Sequence, residues 1–168
     1  FYDAPYDEDP LIQTPLFGCG GDNSAIVLDS EGNAHVVFSK MIKGFSDGGG
    51  WVYVPNAEGV IYWTEGMDVM DSTFISSQTN QYIIDAGQLI GYMLGDPSTL
   101  LPDQYSYQAS RTARPQMGID ANDNMFVTYS ALSPGYDNGT HNYRHIHVNS
   151  SWNGGASWNE PTDITTGL

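Results

Sequence analysis

The stretch Ser151-Trp152-Asn153-Gly154-Gly155-Ala156-Ser157-Trp158 decides how this chain is read. Its spacing, S-x-N-x-G-x-S-W, is that of a tight polar turn with a large apolar residue closing it. A side-chain oxygen at the third position can bond backbone groups across the turn, as an Asx-turn does. The glycine at the fifth position supplies backbone freedom, and the final tryptophan is a packing residue. Immediately before the turn, Arg144-His145-Ile146-His147-Val148 alternates polar and apolar side chains, the period of a strand. Strand followed by polar turn predicts a β-structure at this end of the chain.

Working outward, two segments repeat. Residues 24–39 (SAIVLDSEGNAHVVFS) and 115–130 (PQMGIDANDNMFVTYS) align with Asp29 on Asp120, Asn33 on Asn124, Val36 on Val127, Phe38 on Tyr129 and Ser39 on Ser130. Each reads as strand, tight turn, strand, a β-hairpin. The turns hold Asn, Asp and Gly, which tolerate positive φ. A further strand follows each hairpin, Val60-Ile61-Tyr62-Trp63 after the first and Arg144 to Val148 after the second. The first continues as Thr64-Glu65-Gly66-Met67-Asp68, where the closing turn motif has been lost. Gln88 to Leu94 reads as an extra strand without a hairpin. Gly44 to Gly50 and Gly95 to Gln104 read as long surface loops, and no window sustains a helical period.

The motif at 151–158 resembles the Asp-box, S-x-D-x-G-x-T-W, with Asn153 for the aspartate and Ser157 for the threonine. With the hairpins at 24–39 and 115–130, the chain resembles a sialidase-like, BNR-repeat β-propeller of secreted bacterial proteins. The resemblance implies an all-β fold of antiparallel four-stranded blades, two or three of them here. It makes residues 1–168 one partial propeller segment, with Ser151, Asn153, Gly155 and Trp158 as its structural box. The hairpin offset is about twice the ~40–50 residues of a compact blade, which favours expanded loops over a hidden blade. Such propellers close a ring of about six to eight blades, so the expectation is a fragment of a larger chain, and a start at Phe1 without methionine fits it. The predicted core is Ile26, Leu28, Val36, Phe38, Ile61, Trp63, Ile119, Val127, Tyr129, Ile146, Val148 and Trp158.

Composition narrows the partners. Twenty Asp+Glu against five Lys+Arg give a net charge of −15, which argues against nucleic acid and anionic membranes, since both need clustered cations. No apolar run approaches the ~20 residues of a membrane span, and no leader-like segment opens the chain. Acidic loops rich in Asp, Asn, Gly and Ser suit a secreted or cell-surface setting. The single cysteine, Cys19, excludes an internal disulfide.

The family includes glycoside hydrolases, whose sialidase members use an arginine triad, a tyrosine nucleophile paired with Glu, and an Asp acid/base. Arg111, Arg114 and Arg144 are the only arginines. Arg114-Pro115 is similar to the family's F-R-I-P entry, but Thr112 and Ala113 break the pattern, so no catalytic residue is assigned. Arg114, Arg144, Trp51 and Tyr53 are candidate ligand-binding residues, although for Arg114 an ion pair with one of the many carboxylates is the favoured reading. Aromatics make up 12% of the chain, and those near loops (Tyr2, Tyr6, Trp51, Tyr53, Tyr105, Tyr107, Tyr136) could stack on sugars, although most propeller aromatics fill the core. For metals, His145 and His147 share a strand face with His141 nearby, but hydrogen-bonded strand histidines are the favoured reading. Asp120, Asn122 and Asn124, with Asp123, offer oxygens at calcium-loop spacing; an Asx-type turn is favoured, and no cofactor other than calcium is suggested. His35 reads as structural. Asp3, Asp7, Glu8 and Asp9 read as a solvated face. Asn138-Gly139-Thr140 and Asn149-Ser150-Ser151 match the glycosylation sequon, and Gly48 to Gly50 lacks the lysine and helix of a phosphate loop.

These readings converge on a non-catalytic binding or structural propeller module, taking a glycan or protein ligand and packing against the rest of its parent polypeptide. The alternative is part of a glycoside hydrolase with catalytic residues mostly elsewhere.

Overall fold

A computed structural model describes residues 17–45, 51–54, 57–67, 87–101 and 110–167. Within them the protein is all-β and antiparallel. The strands are β1 (Phe17–Leu28), β2 (Ala34–Phe45), β3 (Trp51–Val54), β4 (Val60–Thr64), β5 (Gln88–Gly91), β6 (Thr112–Ile119), β7 (Met125–Asp137), β8 (Asn142–Ser151) and β9 (Thr162–Asp163). The first sheet runs β1-β2-β4-β5, with β3 also paired to β2; the second runs β6-β7-β8-β9. Gln88 to Gly91, the strand without a hairpin, is thus the outer strand of the first sheet. A 3-10 turn, Pro97–Thr99, sits in the expected loop after Gly95. No described helix is long and apolar enough to cross a membrane.

The repeated hairpins adopt the same turn. Asp29 Oδ1 accepts from the Glu31 and Asn33 amides at 3.0 and 2.7 Å, and Oδ2 from Asn33 Nδ2 at 2.8 Å. Asp120 repeats this with Asn122 N, Asn124 N and Asn124 Nδ2 at 2.8, 2.9 and 2.9 Å. The turns also touch: Ser30 donates from N and Oγ to the two oxygens of Asp123 at 2.9 and 2.5 Å. Asp123 has φ 57°, a left-handed conformation that aspartate tolerates better than most residues. The strands of each hairpin carry a register shift at corresponding places, Gly20/Ser24 in the first and Ala113/Gln116 in the second. Such bulges bend a strand and re-aim its side chains.

The two sheets pack face to face. The back of the first sheet presents Val37, Val60 and Tyr62, joined by Ile90 and Met93, to the front of the second, Met125, Val127, Tyr129 and Ala131, with Met117, Ile119 and Trp158 at the margins. Burying each large aliphatic here is worth about 1.5–3 kcal/mol. Polar links pin the contact. Gly59 N donates to Thr112 Oγ1 at 2.7 Å, Arg111 N to Ala57 O at 3.0 Å, Tyr129 Oη to Tyr92 O at 2.8 Å and Asn149 Nδ2 to Ile90 O at 2.6 Å.

The predicted core is half right. Phe38, Ile61, Val127 and Tyr129 are buried, while Val36, Trp63, Ile119, Val148 and Trp158 are partly so. Ile26 and Leu28 are 64% and 60% exposed, and Ile146 is 38% exposed. Ile26, Leu28, Val36, Phe38, Ile61 and Trp63 do share one face, the counterpart of the second sheet's buried front. In the first sheet that face points away from its neighbour, and Val37, Val60 and Tyr62 on the opposite face make the contact.

Candidate functional site

The box at 151–158 is a closed hydrogen-bonded turn. Ser151 Oγ donates to Asn153 Oδ1 at 3.0 Å and accepts from Gly155 N at 2.9 Å. Asn153 Oδ1 also accepts from Ser157 N at 2.9 Å, and its amide donates to Ser157 Oγ at 2.8 Å. An aspartate could not make that last donation, so Asn153 and Ser157 complement each other. Gly154 and Gly155 have φ 67° and 86°, the left-handed region that favours glycine. Trp158 meets Tyr62 of the first sheet edge-on, centroids 5.1 Å apart, and a Cβ at Gly155 would land on the Tyr62 hydroxyl. The box is therefore the clasp between the sheets. Sequence reading missed Tyr62 as its seat.

Behind the clasp lies a buried relay. His35 Nδ1 is 2.7 Å from Tyr62 Oη, and its Nε2 is 3.3 Å from Asp29 Oδ2. The Asn33 side chain, followed by backbone amides and His35, holds the Asp29 carboxyl down to about 2. Burial raises the Tyr62 phenol, keeping it protonated. His35 is structural, as expected, since its ring ties a hairpin turn to the seat of the clasp.

His145 and His147 lie on one buried face of β8. His145 Nδ1 is 2.5 Å from Asp163 Oδ2 and its ring lies 4.5 Å from Tyr136. His147 stacks on Tyr129 at 5.4 Å, and burial pushes its pKa down, keeping it neutral. His141 is exposed at the β7–β8 turn. Among the described residues no group of three or more His, Cys, Asp or Glu could hold a metal ion. The calcium candidates Asp120, Asn122 and Asn124 stand in the turn described above, where Asp120's oxygens accept from the turn itself and Asp123's from Ser30. Asn149 of the second sequon is buried and donates to Ile90 O and Asn159 O, so its amide is unavailable for modification in the folded protein.

The arginines converge. Arg144 donates from Nη2 to Ser110 O at 2.6 Å and from Nη1 to Arg111 O at 3.3 Å. Arg111 pairs with Glu58 at 3.8 Å. Arg114 is exposed, in the bulge of β6, at φ 58°. Burial lowers the Arg144 pKa, and the neighbouring positive charge of Arg114 lowers it further. Among the described residues neither Arg114 nor Arg144 has a carboxylate partner within salt-bridge distance. Tyr143 and Tyr136, 50% and 44% exposed, stand at the same β7–β8 end as Arg144. Trp51 and Tyr53 lie on β3, opposite Phe45 and Lys43 of β2; their side chains, and the loop candidates Tyr2, Tyr6, Tyr105, Tyr107, Asp3, Asp7, Glu8, Asp9 and Gly48 to Gly50, fall outside the described residues.

The chain matches no family model, and neither a curated protein nor a solved structure matches it.

Proposed function

We propose that the chain is a non-catalytic segment of a sialidase-like β-propeller from a secreted or cell-surface bacterial protein, binding an acidic glycan at Arg114 and Arg144. The observation that carries this is charge placement. In a chain of 20 acids and five bases, two guanidiniums stand within each other's field and no described carboxylate pairs with either. Like charges held together favour an anion between them. Arg114 holds a left-handed conformation that costs an ordinary residue about 1–2 kcal/mol, a strain better suited to presenting a side chain than to packing one. The bulge belongs to the repeat, because the first sheet has it too, with Asn23 at the matching position. The arginine is this sheet's own choice. Tyr136 and Tyr143 add faces on which a sugar ring can stack.

Binding of carboxylated and neutral oligosaccharides, followed by calorimetry, tests the reading. The carboxylated ligand should bind and the neutral one should not. Arg114→Ala should weaken binding by roughly 10–100-fold, from about 1.5–3 kcal/mol for a hydrogen bond to a charged group. Equal binding of both ligands, or an unaffected variant, would overturn it.

The glycoside hydrolase alternative has one observation in its favour, the Tyr92 phenol donating to Glu160. That hydrogen bond raises the Tyr92 pKa, so the phenol rests protonated and would need Glu160 as its base. Turnover of a fluorogenic sialoside that is lost in Tyr92→Phe would favour this alternative.

A further inference from the structure

Two asparagines of this chain are followed by glycine, Asn138-Gly139 and Asn153-Gly154, and both stand on exposed turns. A glycine after asparagine leaves the backbone nitrogen with no Cβ beside it to block approach to the side-chain amide carbon. The two turns treat that amide differently. At Asn153 the whole side-chain amide is engaged: Oδ1 accepts from Ser151 Oγ and Ser157 N, and Nδ2 donates to Ser157 Oγ. Gly155 N and Ser157 N donate into that turn, and no described carboxylate meets Gly154 N. At Asn138 the arrangement is reversed. Gly139 N donates to Asp137 Oδ1 at 2.8 Å, while Asn138 Oδ1 accepts from Thr140 N at 3.0 Å and His141 N at 2.7 Å. Asn138 Nδ2 has no hydrogen-bond partner among the described residues, and residues 135–141 are all exposed. The bond from Asn138 N to His141 O at 3.1 Å and the left-handed Gly139, at φ 81°, hold the turn in this form.

We propose that Asn138 is a self-modification site, whose side-chain amide is lost to attack by the Gly139 backbone nitrogen. The Asp137 carboxylate draws the proton from the Gly139 amide, and the nitrogen attacks Cγ of Asn138. Charge collects on Oδ1, where the Thr140 and His141 amides already donate, the placement that stabilises an oxyanion. The bond from Gly139 N to Cγ forms, the Cγ–Nδ2 bond breaks, and Nδ2 leaves as ammonia with the proton that Asp137 took. Water then opens the cyclic imide at either carbonyl, giving an aspartyl or an isoaspartyl residue. The net change consumes a water and releases an ammonia, with no other reactant. Either product exchanges a neutral amide for a carboxylate, so each event adds a negative charge to a chain already at −15. The charge appears beside Asp137, at the β7–β8 end where Tyr136 and Tyr143 are exposed. Conversion also removes the amide of the exposed sequon, Asn138-Gly139-Thr140. The proposal rests on this turn alone and is independent of the ligand site.

Incubation of the folded 168-residue chain at neutral pH, followed by trypsin and mass spectrometry with fragmentation to locate the site, tests it. Cleavage after Arg144 puts the two asparagines on separate peptides. Asn138 should gain the mass difference between NH2 and OH at least ~10-fold faster than Asn153. In urea the two rates should converge, with Asn138 slowed and Asn153 quickened, because only the glycine that follows each then acts. Asp137→Asn keeps a side-chain oxygen to accept from Gly139 N and removes the base, so conversion of Asn138 should slow by ~10-fold or more. The position is exposed, so the fold should survive, and unchanged circular dichroism would verify that. Equal rates at the two sites of the folded chain, an Asn138 that converts faster unfolded than folded, or an Asp137→Asn variant that converts as fast as the wild type or faster would each overturn the proposal.

Discussion

Replacing Gly155 with alanine should damage the protein far more than the same change one residue earlier. Both glycines are left-handed, at φ 67° for Gly154 and 86° for Gly155, so each alanine incurs about 1–2 kcal/mol of backbone strain. Around Gly154 there is nothing within 4 Å of the new Cβ. At Gly155 the Cβ would meet the Tyr62 hydroxyl and lie 2.5 Å from Cζ of that ring. Tyr62 cannot swing aside, because it is fully buried, bonded to His35 and packed on Trp158. Forcing the sheets apart adds ~1–3 kcal/mol, making ~2–5 kcal/mol in total. Urea unfolding of the two variants isolates the difference, which in thermal melts is roughly 2–12 °C for a domain of this size. Tyr62→Phe removes the offending oxygen at a cost of about 1 kcal/mol for the His35 bond, so the double variant should be less destabilised than the sum of its parts, by ~0.5–3 kcal/mol. Equal losses at Gly154 and Gly155, or strict additivity with Tyr62→Phe, would refute the clasp.

Further outcomes follow from the same geometry. Gly91→Ala places a Cβ 2.7 Å from Tyr129 Cε1 and 3.0 Å from Val60 Cβ at an ordinary φ, so it should cost ~1–3 kcal/mol in urea unfolding. The Asp29 carboxyl sits at about 2 against an ordinary 3.8, chiefly through Asn33. A depressed folded value means that its contribution is present above the ordinary value and is lost as pH falls from 3.8 towards about 2; the melting temperature should drop across that window, less steeply in Asp29→Asn. Arg114→Gly removes a left-handed strain of ~1–2 kcal/mol against a glycine entropy cost of ~0.5–1 kcal/mol. It should therefore match or exceed the wild type in stability while losing acidic-glycan affinity, and a clear loss of stability would show Arg114 to be a packing residue instead.

The hairpins, the extra strand at Gln88 and the turn at 151–158 were legible because each carries a local signal. Alternating apolar residues marked the strands, and Asp-x-x-x-Asn marked the hairpin turns, whose left-handed residue is Gly32 in the first and Asp123 in the second. What alternation cannot reveal is which of two apolar faces meets the neighbouring sheet. Val36 and Phe38 look as core-like as Val37, and only the observed packing separates them. Ile26 and Leu28 are exposed for this reason, since they lie on the face opposite Val37, Val60 and Tyr62, which make the contact. Tyr62 escaped notice as the seat of Trp158 because the two are far apart in sequence. The grouping of Arg144 with Arg114 depends on a bulge whose position only the pairing register discloses. Arg114 and Arg144 were identifiable as candidates because arginine is so scarce here.

The most direct test of the glycan reading is the side-chain Nε–H spectrum of the arginines, recorded while a carboxylated oligosaccharide is titrated. With only Arg111, Arg114 and Arg144 in the chain, the assignment is short. The Arg114 and Arg144 signals should move together and saturate, with Arg111, paired to Glu58, moving less, and all shifts shrinking as salt is added. Arginine signals that stay still up to saturating ligand, or that move equally with a neutral sugar, would contradict the account.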